Sequence, residues 1–67
     1  MAKQQSLHPG ARIRRARRLI EMTQMELGHA VGRDGPFVSG VESGKRPASQ
    51  EMLAKMWRAI AEARGRA

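Results

Sequence analysis

Between Thr23 and Pro47 the chain is punctuated so densely that only short helices fit. "TQMELGHAVG" opens on Thr23 with Glu26 three residues on. At that spacing each side chain satisfies a backbone N–H at the other residue, the reciprocal arrangement that starts a helix. Gly32 closes the segment, since glycine readily takes the left-handed conformation that ends a helix. Asp34 or Gly35 can cap the next helix, and its first turn tolerates Pro36, because the N–H that proline lacks has no intrahelical partner there. Gly44 then stops it. Two short helices, 23–31 and 35–43, joined by so tight a glycine turn meet at a steep angle. The buried faces are Leu27, Ala30 and Val31 in the first and Val38 and Val41 in the second.

The flanks follow the same logic. Pro9 suits a first turn, and "ARIRRARRLIEM" places Ile13, Ala16 and Ile20 on one stripe at helical spacing. Arg12, Arg14, Arg15 and Arg18 fall on the outer faces. Ser49 caps a last helix whose acidic start carries Glu51. Leu53, Met56, Trp57 and Ile60 form its apolar stripe, with Trp57 expected as a core anchor, and "ARGRA" reads as a fraying basic tail. The expected organisation is a flexible arm at 1–8, one all-α domain of four helices at 9–62, and a tail at 63–67.

A chain of 67 residues has room for one small core; at this size only about 60% of the unfolded surface is buried. With no cysteine, neither a disulfide nor a thiolate metal site can reinforce it. His8 and His29 lack companion ligands, so no metal or other cofactor is expected. No apolar run approaches a membrane span and no signal-peptide core is present, which makes a cytoplasmic protein the expectation. Charge points to the partner: Lys and Arg total 13 against 6 Asp and Glu, for a net +7. Arginine dominates the basic residues, and its planar fork matches phosphate bidentately, so the expected partner is a polyanion, nucleic acid ahead of anionic membrane. Nothing suggests an enzyme. There is no Ser/His/Asp set, no carboxylate pair, and Gly44-Lys45 lacks the spacing of a phosphate-cradling loop.

From Gly10 to Ile60 the chain resembles the Cro/CI-type (XRE-like) helix-turn-helix family of phage and bacterial repressors. The matching pieces are "IRRAR" (Ile13 to Arg17), "TQMELG" (Thr23 to Gly28), "VG" (Val31, Gly32), "VSGVESGKRP" (Val38 to Pro47) and "SQEML" (Ser49 to Leu53). The resemblance implies a lambda-repressor-like all-α domain with four helices, or five, whose 35–43 helix enters the DNA major groove. It also implies a phosphate contact for Gln24, a small-residue helix crossing at Gly28, and an ion pair between Arg17 and Glu42. Lys45 and Arg46 fall in a loop that meets the sugar–phosphate backbone. The family's usual fifth helix has no clear counterpart after Ile60.

Two departures shape the expected readout. Arg33 stands where the motif turn usually carries an apolar residue, and Gly35, Pro36 and Gly40 stand where polar base-contacting residues are usual. Gly40 would then let the helix lie close to the groove floor. Pro36 would offer apolar surface to thymine methyls. Phe37 has two readings: the same methyl contact, or packing under the helix start. Arg33 is a candidate for a bidentate guanine contact, with phosphate as its rival, and Ser39 and Ser43 join the contact set. The expected function is a sequence-specific regulator binding double-stranded DNA, a small repressor from a phage or mobile element. It would act as a homodimer on an inverted repeat, without a small-molecule substrate or membrane. The alternative is a protein-interaction adaptor or antitoxin-like module whose DNA binding is weak or sequence-blind.

Overall fold

The computed structural model describes residues 8–66. They form four α-helices: α1 (Pro9–Leu19), α2 (Gln24–Ala30), α3 (Gly35–Ser43) and α4 (Gln50–Arg66), with no strand among the described residues. No helix is long and apolar enough to cross a membrane.

Side-chain caps start the helices. Thr23 Oγ1 accepts from Glu26 N at 2.9 Å while Glu26 Oε1 accepts from Thr23 N at 2.8 Å, completing the reciprocal cap of α2. Asp34, not Gly35, caps α3, its carboxylate accepting from Phe37 N at 3.0 Å. Ser49 Oγ accepts from Met52 N at the start of α4. His8, within the segment expected as arm, caps α1 through Nδ1, which accepts from Ala11 N at 3.2 Å. The rest of the arm lies outside the described residues.

The ends of α1, α2 and α3 share one device. After α2, Gly32 takes φ +78° while Gly32 N donates to His29 O and Arg33 N to Gly28 O. After α3, Gly44 takes φ +83° while Gly44 N donates to Val41 O and Lys45 N to Gly40 O. This pair of bonds satisfies carbonyls that would otherwise be orphaned. The same bonds close α1, from Glu21 N to Arg18 O and Met22 N to Arg17 O, yet the left-handed residue there is Glu21, at φ +57°. A side chain in that conformation costs on the order of 1–2 kcal/mol, so this turn holds strain that no glycine relieves.

The core is contributed by all four helices: Ile13, Leu27, Val31, Phe37, Val38, Val41, Met56, Ala59 and Ile60. Ala16, Ile20, Met52 and Leu53 pack at its margin. Three sequence expectations need correction. Ala30 is exposed. Of the "ARGRA" segment expected as a fraying tail, residues 63–66 are helical, because helix α4 runs through Arg66, and Ala67 lies outside the described residues. Trp57 is not a core anchor and stands 41% exposed. The inward face of α4 is carried by Met56, Ala59 and Ile60, with Met52 and Leu53 at its margin, and the indole faces outward.

Two glycines bring the helices close. A Cβ on Gly28 would collide with the backbone of Asp34, so the start of α3 rests directly on α2. A Cβ on Gly10 would fall on the Val41 carbonyl, placing α1 equally close to α3.

Candidate nucleic-acid interface

Helix α3 is held from behind by a buried polar node. Arg17 and Glu42, 8% and 4% exposed, make a two-pronged pair: Nε donates to Glu42 Oε2 at 2.7 Å and Nη2 to Oε1 at 3.1 Å. The third arm of the guanidinium, Nη1, donates to the Met22 carbonyl at 2.6 Å. Gln24 Nε2 donates to Glu42 Oε1 at 3.1 Å. Every buried side-chain polar atom among the described residues has a partner. The node thus joins α1, the turn that follows it, α2 and α3. Gln24, expected at a phosphate, spends one of its two amide hydrogens on Glu42.

On the other side of α3 the exposed residues are Pro36, Ser39 and Ser43, with Gly40 half-buried among them. Ser39 faces out. Ser43 turns back on its own helix, Oγ donating to Gly40 O at 3.1 Å and lying 3.4 Å from Lys45 N. The helix face itself therefore offers few free polar groups.

Phe37 is only 6% exposed and belongs to the core, so the packing reading replaces the methyl-contact one. Its ring is covered by arginines from two different loops. The Arg33 guanidinium carbon lies 4.0 Å from the ring centroid, and that of Arg46 lies 5.3 Å from it. Gly40 also changes meaning. A Cβ there would come 3.1 Å from Arg46 Cβ and 3.8 Å from its Cδ and Nε, so the space in front of this glycine is taken by the Arg46 stem. The missing side chain makes room for the arginine stem.

The outcome is a surface on which exposed Arg33 and Arg46 meet over the Phe37 ring of α3, with Lys45, also exposed, next to Arg46 in the loop. Arg17–Glu42 is the one salt bridge among the described residues, so these cations have no carboxylate partner there. The sequence pattern named each of these residues but missed their shared platform, because Arg33 lies in the turn outside α3 and nothing local links Arg46 to Phe37. No protein-family model, curated protein or solved structure was found to match the chain.

Proposed function

We propose that this protein is a sequence-specific double-stranded DNA-binding regulator, a small repressor acting as a homodimer on an inverted repeat. In this reading α2 and α3 form a helix-turn-helix, and α3 enters the major groove. The observation that carries it is the gathering of unpaired cations around an outward helix face with almost no other polar chemistry, on a chain of net charge +7. Phosphate attraction supplies most of the affinity for such a surface, and counterion release makes it steeply salt-dependent.

Titrating a duplex at several salt concentrations tests this. Log affinity should fall linearly with log salt, and Lys45→Ala should flatten the slope by about one unit while leaving the ranking of duplex sequences intact. An affinity indifferent to salt would reject the electrostatic account.

Two-fold symmetry extends the contact, because one short helix spans only a few base pairs and dimers engage half-sites about one helical turn apart. The exposed Trp57 gives the fourth helix an aromatic that a second copy would cover. A footprint should therefore show paired half-sites, and altering one should weaken protection of the other. Protection of a lone half-site would overturn the dimer.

The second reading is a protein-binding adaptor. It draws on exposed Met25, whose backbone lies beside Gly35 at the entry to α3. Equal affinity for every duplex sequence would favour it.

A further inference from the structure

We propose that Arg33 and Arg46, braced on the two loops flanking α3, are the base-reading pair of this protein, and that each takes a guanine in the major groove. The proposal rests on the reading of α3 as a groove-inserted helix and adds to it which side chains read and which base they read.

Phe37 is the platform. It is anchored in the core, so its ring is a fixed surface and not a mobile one. An arginine laid on an aromatic ring gains from the ring's negative face and gives up much of its rotamer freedom before any ligand arrives. Both backbones are pinned as well: Arg33 N donates to Gly28 O at 2.7 Å, and Arg46 N to Gly40 O at 3.1 Å. The two side chains thus start from fixed ends of two helices and converge on one ring.

Gly40 supplies an independent indication. Its φ is not in the left-handed region, so no turn demands glycine there, and glycine is unfavourable inside a helix. Its one visible effect is to leave a track for the Arg46 stem, whose Cβ and Cδ run across it. The helix forgoes a side chain of its own and carries an arginine from the following loop in that place.

Pre-orientation matters most for a directional contact. Lys45, exposed in the same loop, is sufficient as a point charge for phosphate. A planar fork held in one orientation suits a pair of acceptors side by side, and in the major groove that pattern is O6 and N7 of guanine. The two guanidinium groups carry like charge and neither is paired with a carboxylate among the described residues, which leaves an acceptor to complete them. Both guanidinium carbons lie within 5.3 Å of one centroid, so they stand less than about three base-pair rises of ~3.4 Å apart. The two guanines should therefore fall inside one half-site, within about three adjoining base pairs.

The experiment is selection from a randomised duplex library with the full chain, followed by titration of the enriched duplex. The wild type should enrich two guanine positions per half-site at that spacing. Arg33→Lys should lose the preference at one position and Arg46→Lys at the other, each weakening the enriched duplex about tenfold. Both should leave binding to a scrambled duplex nearly unchanged, since the charge is kept. Phe37→Leu, which keeps apolar volume, should blur both positions together. Because Phe37 also belongs to the core, the two lysine variants are decisive if Phe37→Leu fails to fold. Enrichment without guanine, or guanine preferences that survive in both lysine variants, overturns the proposal while leaving DNA binding in place. Failure of the wild type to bind any duplex overturns both readings.

Discussion

Arg17→Met is expected to lower the unfolding free energy by about 3–5 kcal/mol, the cost of leaving one member of a buried pair without its partner. Glu42 would keep a single donor, the Gln24 amide, for a carboxylate that is almost wholly withdrawn from water. Glu42→Gln is expected to fall in the same direction, since it leaves the Arg17 charge facing a neutral amide. One of the two carboxylate oxygens would become an NH2 donor facing the guanidinium, leaving the amide oxygen and the Met22 carbonyl as its acceptors. A domain of this length has a total stability of roughly 3–10 kcal/mol. Either change should thus remove a large share of the stability, visible as a large drop in urea midpoint. Joining Arg17→Met with Glu42→Met should recover part of the loss, because two apolar side chains of suitable volume strand no charge. Unchanged midpoints in both single variants would mean that Arg17 belongs to the surface chemistry and not to the fold.

The second large effect comes from single methyl groups. Gly28→Ala gains about 1 kcal/mol in helix propensity. The added carbon, however, lands on the Asp34 backbone, with Asp34 Cα only 2.8 Å away, and backbone cannot swing aside as a side-chain tip can. Gly10→Ala meets the Val41 carbonyl carbon at 2.7 Å and Glu42 Cα at 3.1 Å. Overpacking of this kind costs about 1–3 kcal/mol and at times more, so both variants should melt lower than wild type despite better propensity. Gly65→Ala is the control: nothing lies within 4 Å of the added carbon, and propensity acts alone. It should melt at or slightly above the wild-type temperature. The same substitution then has opposite signs at positions that differ only in what stands opposite. A Gly28→Ala variant as stable as wild type would show that α2 and α3 can separate without cost.

What the sequence made legible was local. Thr23 with Glu26, Asp34, Ser49, Gly32 and Gly44 act through bonds to residues a few positions away, so their roles can be read by counting. The Arg17–Glu42 pair came from resemblance, since no periodicity links residues on different helices. Other features depend on what lies across a gap. Gly10 resembles any glycine near a helix start until Val41 is placed against it. Glu21 takes a conformation that glycine or asparagine would normally signal, imposed by the bonds closing α1. Trp57 fits a stripe through Leu53 and Ile60 as well as Met56 does, and only docking against α1 and α2 decides that Met56 and Ile60 are covered while Trp57 stays exposed. At the candidate interface the residue types were visible, but the direction of Arg46 was not. It crosses Gly40 and reaches a ring nine positions back in the chain.

The acidic residues have a consequence for how the free molecule behaves. Glu26 and Asp34 are engaged at helix starts and Glu42 within the node, all by bonds that serve the fold. Arg12, Arg14, Arg15 and Arg18 stand exposed along α1 with no carboxylate paired to them among the described residues. Such a surface repels itself, and self-repulsion works against compactness. Added salt screens that repulsion in the free protein while it competes with any polyanion in the complex. Ionic strength therefore pulls in opposite directions on the free protein and on the proposed complex: the solution that best preserves the isolated fold is the one in which a nucleic acid would hold it least.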